Sequence, residues 1–175
     1  MLLFFLAKEK KARAASAKKK REHIMNYEIK QLQPSTFPHC AALWNMKKQS
    51  ALAKRFYDDL CSGNRITWIY EQDGTLCGEI SLVFDMHDSD YTIAGKRAYV
   101  SHLIVKKDCR RQGIGKTLLA YVTEQARQLA LKELTIGVDL DNYPALKLYS
   151  GAGFDRVLLI DEDKRGRYVK LMKTL

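Results

Sequence analysis

Residues 110–119, RRQGIGKTLL, contain the residue types that bind an anion. Glycines let the main chain of a loop approach a ligand closely, and the free amides that begin a helix then converge on a negative charge such as a phosphate. Arg110, Arg111 and Lys116 add positive side chains to this turn. The segment therefore predicts a phosphate site, to which the helix dipole adds roughly 0.3–1 kcal/mol per charge.

Spacing excludes two familiar kinds of phosphate loop. A Walker A loop needs a glycine five residues before its Gly-Lys-Thr, and Arg110 occupies that position. A dinucleotide fingerprint needs a third glycine where Leu118 stands, and this bulky side chain would keep helix and strand apart. What remains is Arg-x-x-Gly-x-Gly between a strand and a helix, with the glycines at Gly113 and Gly115.

A second group of polar and aromatic residues follows in NYPALKLYSGAGF, residues 142–154. Asn142 precedes a proline that suits the first turn of a helix, so its side chain can cap that helix. Tyr149 lies further along the same predicted helix, where a tyrosine is commonly a packed aromatic. Either residue can alternatively contact a ligand.

Together the two segments resemble the GNAT superfamily of acyl-CoA N-acyltransferases. The central motif of that family is a strand followed by [Arg/Gln]-x-x-Gly-x-[Gly/Ala], as in HLIVKKDCRRQGIGKTLL. Its second motif is Asn-x-x-Ala-x-x-x-Tyr and then Gly-Phe, as in Asn142, Ala145, Tyr149, Gly153 and Phe154. The paired match covers residues 99–154 in the expected order, and the flanking elements from residue 26 to 175 follow the family's topology.

The resemblance implies acetyl-CoA as a cosubstrate. The diphosphate of coenzyme A would lie on the amides of the glycine loop, and its pantetheine arm would pair with the central strand as an added strand does. Asn142 would bond the arm from the other side. The residues implied in binding are Leu103, Ile104, Val105, Arg110, Arg111, Gln112, Gly113, Ile114, Gly115, Lys116, Thr117 and Asn142.

The resemblance also implies that an acceptor amine attacks the thioester directly, while a backbone amide near Leu103 polarises the oxyanion. Tyr149 matches the family's general acid, and a phenol with a pKa of about 10 stays protonated at neutral pH. The general base remains open. The candidates are Glu79 acting through water, Ser101, and His102, histidine being the residue type that changes protonation nearest neutral pH.

We expect the acceptor to be a primary amine of a small molecule. A protein N-terminus or lysine is an alternative acceptor, and a noncatalytic acyl-CoA-binding module is an alternative of another class. The resemblance places several acidic residues on the acceptor side, where they would attract a cationic amine. These are Asp58, Asp59, Asp85, Asp88, Asp90, Asp161, Glu162 and Asp163.

Hydrophobic patterns predict the order β-α-α-β-β-β-α-β-α-β-β. Residues 65–71 and 75–86 form a hairpin around Asp73-Gly74. Residues 97–105 end in a run that is apolar on both faces, which is typical of a central strand. The predicted fold class is α/β (α+β in some schemes), a mixed, mostly antiparallel twisted sheet of six to seven strands with helices on both faces.

Residues 1–24 hold eight Lys and Arg against two Glu, a net of +6 out of the chain's +10. Their apolar run precedes the charges, opposite to the order of a secretory signal. The segment is a basic arm for polyanions, a solvated or helical extension, or sequence upstream of a start at Met25, and we favour the last two. A single N-acetyltransferase domain is expected over residues 25–175.

The four cysteines, Cys40, Cys61, Cys77 and Cys109, are scattered without C-x-x-C spacing, and the histidines are scattered too. We therefore expect no metal, and four reduced thiols in a cytoplasmic protein. Neither a nucleic-acid nor a membrane partner is expected. An exposed edge strand near the C-terminus is compatible with a monomer or a homodimer.

Overall fold

The computed structural model describes residues 26–164 and 166–175, so the predicted extension at 1–24 lies outside the described residues. Its strands are β1 (Tyr27–Gln31), β2 (Arg65–Gln72), β3 (Thr75–Val83), β4 (Arg97–Val105), β5 (Glu133–Asp139), β6 (Arg156–Asp163) and β7 (Gly166–Thr174). Its α-helices are α1 (Ser50–Ser62), α2 (Ile114–Gln128) and α3 (Tyr143–Gly151), with 3₁₀ segments at Pro34–Ala42 and Lys107–Cys109. None of these helices combines the length and the apolar character needed to cross a lipid bilayer.

One sheet contains these seven strands in the order β1-β2-β3-β4-β5-β7-β6. Neighbouring strands run antiparallel except β4 and β5, which are parallel. β4 is the central strand, as its apolar residues predicted, and β6 is an edge strand. The predicted mixed, mostly antiparallel sheet is confirmed.

Helices cover both faces of the sheet because successive strand residues point to opposite sides. On one face Trp68, Ile80 and Val100 share a buried cluster with Leu118 and Val122 of α2. The other face is covered by α1 and the first 3₁₀ segment. Their buried cluster is Leu32, Phe37, Cys40, Trp44 and Phe56.

Two predictions about individual elements are wrong, each for a reason that lies in the local sequence. The first of the two helices predicted between the first strand and residues 65–71 is instead the 3₁₀ segment Pro34–Ala42, because Pro38 inside it has no N–H for an α-helical ladder. The strand expected over residues 75–86 ends at Val83. Asp85 turns the chain there, since its Oδ1 accepts a hydrogen bond from the His87 amide at 2.7 Å.

The expectation of four free thiols is also wrong. Cys77 of β3 and Cys109 of the second 3₁₀ segment form a disulfide, while Cys40 and Cys61 are free. The bond ties β3 to the turn that leads into the glycine loop. A search for C-x-x-C spacing misses this pair because 32 positions of sequence separate its members.

Candidate active site

β4 and β5 separate in the middle of the sheet. They pair only at Arg97–Glu133, Ala98–Leu134 and Tyr99–Thr135. β4 nevertheless continues to Val105, and β5 continues to Asp139. Beyond Tyr99, the edge of β4 that faces β5 therefore has main-chain groups without a strand partner. A ligand that carries amides can satisfy such groups as an added strand would.

The glycine loop begins α2 without a side-chain cap. Gly113 is the N-cap residue and has φ 84°, a left-handed conformation that glycine adopts without strain. Arg111 also has a positive φ, 62°. The Thr117 amide donates to the Gly113 carbonyl at 3.0 Å, so the amides before it have no partner within the helix. Such free amides suit an anion.

The end of β4, the glycine loop and α3 line a cavity of about 790 Å³, called here the splay cavity. Ten of the twelve residues implied in cofactor binding line it: Leu103, Ile104, Val105, Arg110, Arg111, Gly113, Ile114, Gly115, Lys116 and Asn142. Gln112 and Thr117 are not among the lining residues. The Thr117 hydroxyl instead donates to the Gly113 carbonyl at 3.3 Å.

Asn142 both caps α3 and lines the splay cavity. Its Oδ1 accepts a hydrogen bond from the Ala145 amide at 3.3 Å, as an N-cap side chain does. On the opposite wall, Arg110 Nε donates to the Val105 carbonyl at 3.0 Å and braces the loop against the end of β4. The two side chains therefore fix the walls of the cavity.

Tyr149 of α3 lines the splay cavity and is 8% exposed, with its ring against Phe154. Its hydroxyl makes no hydrogen bond with any described residue. Burial, and then the neighbouring Tyr99, raise the pKa of Tyr149 to about 12. The phenol therefore remains protonated at neutral pH and has a hydrogen bond to donate.

A second cavity of about 410 Å³ meets the first at Tyr149. We call it the tyrosine cavity. It is lined by Tyr91, Tyr99, Gly137, Val138, Asp139, Asn142, Ala145, Tyr149, Asp163 and Tyr168, of which Asn142, Ala145 and Tyr149 also line the splay cavity. The Tyr149 side chain thus stands between two cavities.

The two leading base candidates contact each other: His102 Nδ1 lies 2.5 Å from Glu79 Oε1. A bulge makes this possible, because Ser81 pairs with Ser101 whereas Glu79 pairs with Ile104, which leaves one residue more on β4 than on β3. His102 accordingly has φ 56°. Neither Glu79 nor His102 is among the residues that line the two cavities.

Aromatic rings hold His102 in place. The ring centroids of Trp44 and Phe56 each lie 4.9 Å from that of His102, in edge-to-face geometry. Behind Phe56, the buried Arg65 guanidinium lies 3.7 Å from the ring centroid, and its Nη2 donates to the Ser101 hydroxyl at 3.3 Å. Burial lowers the pKa of Arg65 to about 10 although Asp59 and Glu79 favour its charge. His102 Nε2 has no described hydrogen-bond partner.

Most of the acidic residues expected at the acceptor already have partners within the protein. Lys170 Nζ lies 2.7 Å from Asp88 and 3.1 Å from Asp90. Asp58 pairs with Lys54 at 2.6 Å. Of the eight expected acids only Asp163 lines the tyrosine cavity. Asp88 and Asp90 are not free to attract an amine because Lys170, more than seventy residues away in sequence, binds both.

The Lys170→Met variant is expected to lose about 1–2 kcal/mol of stability, because two aspartates are left without their cation. This is less than for a fully buried pair, since Asp88 and Asp90 are partly exposed. Thermal denaturation at neutral pH measures the loss. Lys30→Met, at an exposed pair with Glu28, is the matched control and should change the Tm little.

Acid should remove the difference between Lys170→Met and the wild type. Burial acts to raise the pKa of Asp88, but hydrogen bonds from Lys170 and the backbone outweigh it and hold the pKa below its usual value. The stabilisation is therefore complete above the unfolded carboxyl pKa of about 4 and is lost as the pH falls through the folded pKa. An equal Tm difference at neutral and strongly acid pH would contradict this assignment.

Sequence patterns missed most of the tyrosine cavity. Tyr91 comes from an irregular loop, and Tyr99, Asp139 and Tyr168 come from three strands that only the sheet brings together. The single available signal was Asp139, an acidic residue at the end of a buried strand. Among the described residues, no group of three or more His, Cys, Asp or Glu side chains is placed to hold a metal ion.

Known proteins share both this sequence pattern and this fold. Residues 26–154 match the Acetyltransferase (GNAT) family. N-acetyltransferase family 8 member 3 from Mus musculus is 29% identical over 97 residues, which are 55% of this chain and 42% of that protein. Peptidyl-lysine N-acetyltransferase YiaC from Escherichia coli (strain K12) is 28% identical over 96 residues, 55% of this chain and 54% of that protein. The chain thus spans about half the length of these curated relatives.

A solved structure extends the likeness to most of the chain. A GNAT family acetyltransferase from Elizabethkingia anophelis, solved with acetyl-CoA bound, superposes with a TM-score of 0.67 at 18% identity. The match covers 86% of this chain and 99% of that one. The family match covers more than half of the chain, from the first described residue to the end of the second motif. This protein therefore belongs to the GNAT family of acetyltransferases.

Proposed function

We propose that this protein transfers an acetyl group from acetyl-CoA to the primary amine of a small molecule, by direct attack within a ternary complex. The observation that carries the proposal is the position of Tyr149, a buried phenol with an unpartnered hydroxyl between two cavities. One cavity suits an amide-bearing carrier of a diphosphate. The other has room for a small acceptor.

The residues of the splay cavity fit acetyl-CoA. Free amides at the start of α2, with Arg111 and Lys116 nearby, suit its diphosphate. The edge of β4 at Leu103–Val105 has no strand partner and suits the two amides of its pantetheine arm, although the Val105 carbonyl already accepts a hydrogen bond from Arg110 Nε. Asn142, which caps α3, has amide hydrogens left to donate from the opposite wall.

The chemistry assigned to this chain is proton transfer and orientation. Acetyl-CoA supplies an acetyl group activated as a thioester. Overall, the amine nitrogen bonds to the acetyl carbon, the carbon–sulfur bond breaks, and the amine loses a proton while the sulfur gains one. Tyr149 donates to the departing sulfur, and the Glu79–His102 pair, which lines neither cavity, accepts the proton of the amine through a water.

An acetylated cysteine is not part of the proposed route. Cys77 and Cys109 are bonded to each other, and Cys61 lines neither cavity. Cys40 is buried, and burial together with the nearby Glu79 carboxylate raises the pKa of its thiol above the ordinary range. A thiol that stays protonated is a poor nucleophile.

A protein or peptide amine is the alternative acceptor. It is favoured by the likeness to a peptidyl-lysine N-acetyltransferase, although that likeness spans about half of either chain. A small amine is favoured by the tyrosine cavity, whose volume of about 410 Å³ is that of a small-molecule site. A noncatalytic acyl-CoA-binding module would have no use for an unpartnered phenol beside the carrier.

Two measurements on the full chain test the proposal. Calorimetric titration with acetyl-CoA is expected to show one site per chain. A panel of small amines, with a lysine-containing peptide as comparison, is then assayed for thiol release. Acetyl-CoA binding without thiol release from any amine would favour the noncatalytic alternative, and preference for the peptide would favour a protein acceptor.

A further inference from the structure

We infer that the acceptor of the proposed reaction carries a second positive charge, which is bound by a carboxylate-flanked tyrosine at the outer end of the tyrosine cavity. This inference rests on the proposed function and adds the chemical class of the substrate. The class is a small amine with at least two cationic nitrogens. The name carboxylate-flanked tyrosine stands for Tyr168 together with the two aspartates beside it, Asp139 and Asp161.

Strand register places these three side chains in one row. Tyr168 of β7 pairs directly with Asp139 of β5 on one side and with Asp161 of β6 on the other. Directly opposed residues point to the same face of a sheet, with Cβ atoms about 4.5–5.5 Å apart. A half-buried aromatic ring therefore has a carboxylate on each side. Aromatic faces and carboxylates both attract ammonium groups.

Within residues 26–164 and 166–175, no basic side chain neutralises either flanking carboxylate. Asp139 and Asp161 form no ion pair with any described residue, and Asp161 only accepts the neighbouring Glu162 amide at 2.8 Å. Lys170, one row further along the same face, is already held by Asp88 and Asp90. Arg167 lines a separate depression that includes Asp139 and Asp141, but it forms no ion pair with either of them.

The wall of the cavity already holds a cation in this way. Lys170 Nζ lies 4.6 Å from the ring centroid of Tyr91, between two carboxylates. The row at Tyr168 also places an aromatic ring beside two aspartates, Asp139 and Asp161, but this row contains no lysine. A cation supplied by the ligand would complete it.

The reacting amine of the acceptor would lie at the other end of the tyrosine cavity, beside Tyr149. Tyr149 is more than nine-tenths buried, lines the cavity and has an unpartnered hydroxyl there. An acceptor whose reacting nitrogen lies beside Tyr149 would extend toward Asp139 and Tyr168, which line the same cavity. The structure thus offers one polar end for chemistry and one anionic, aromatic end for recognition.

A panel of acceptors of equal chain length tests the inference. It contains a straight-chain diamine and two analogues in which one of the two amines is replaced. The replacement is a hydroxyl in the amino alcohol and a carboxylate in the amino acid. The expected kcat/KM order is diamine, then amino alcohol, then amino acid. Asp139→Asn should lower the ratio of diamine to amino alcohol roughly three- to tenfold. Asp155→Asn, at an exposed aspartate outside the cavity, should keep that ratio.

A separate variant tests the location of the acceptor. A Cβ added at Gly137 would lie 2.5 Å from the Tyr91 hydroxyl, so Gly137→Ala forces the Tyr91 ring into new positions in the cavity. It should raise KM for each acceptor while the Kd for acetyl-CoA is kept. If this variant fails to fold, the exposed Asp139→Asn variant still provides the test.

The outcomes separate this inference from the proposed function. Equal kcat/KM for the three acceptors, or an unchanged ratio in Asp139→Asn, overturns the second-charge inference and leaves the acetyltransferase intact. A peptide that reacts faster than each small amine overturns it as well. Absence of both acetyl-CoA binding and thiol release contradicts the proposed function itself.

Discussion

The Tyr149→Phe variant is expected to lose roughly 10²- to 10³-fold in kcat while its Kd for acetyl-CoA stays within about twofold. The substitution removes only the hydroxyl, so the ring keeps its contact with Phe154. The hydroxyl has no described partner, and removing a polar group that makes no hydrogen bond costs little stability. The Tm should therefore be unchanged or slightly higher. Thiol-release kinetics and calorimetry measure the two effects.

The pH dependence adds a second criterion for Tyr149. Because burial raises the pKa of Tyr149 to about 12, its proton is retained throughout the range in which an assay is practical. The wild type should thus show no alkaline loss caused by this group below about pH 11, and the variant should be impaired by the same factor at each pH. Tyr121→Phe is the matched control, since Tyr121 packs against Trp68 and lines neither cavity. Full turnover by Tyr149→Phe would exclude the phenol as the acid.

Replacing His102 by asparagine is expected to lower kcat/KM at neutral pH by about 10²-fold. Asparagine is the appropriate replacement because His102 has φ 56°, and asparagine tolerates this left-handed conformation better than alanine does. Glu79→Gln, which keeps a hydrogen-bond acceptor but removes the charge, should have a smaller effect in the same direction. Both effects follow if the pair accepts the proton of the amine.

A rise in pH should diminish the loss in His102→Asn. An aliphatic amine has a pKa of about 10, so its neutral fraction grows about tenfold per pH unit below that value and the need for a protein base falls. A purely structural role would lower the rate equally at each pH. His87→Asn is a close control, since His87 also has a positive φ, 54°, and is exposed on a loop. A pH-independent loss in His102→Asn would identify His102 as a packing residue.

The glycine loop and the helix after it were predictable because their determinants are local. Gly113 and Gly115 set the turn, and Leu118, Val122 and Ala126 recur at helical spacing along the buried side of α2. The hairpin at Asp73-Gly74 is equally local, with φ of 49° and 74° at the two positions. Each of these features is decided by interactions within a few residues.

The contacts around the candidate site were not predictable, because they join distant parts of the chain. Glu79 meets His102 only through an extra residue in β4, which no strand pattern reveals. Asp88 and Asp90 look like free surface acids in sequence, yet Lys170 binds both from the other end of the chain. The disulfide between Cys77 and Cys109 is another such case.

The sequence alone determined the family and the sheet class, and it identified the glycine turn as a candidate anion site and Tyr149 as a candidate acid, because each depends on residue type and short spacing. Which side chains line the same cavity was decided only by the tertiary structure. The separation of β4 from β5 opens one cavity, and the register of β5, β7 and β6 lines up Asp139, Tyr168 and Asp161 beside the other. Strand register is a property of the whole sheet, because burial of an entire face selects it.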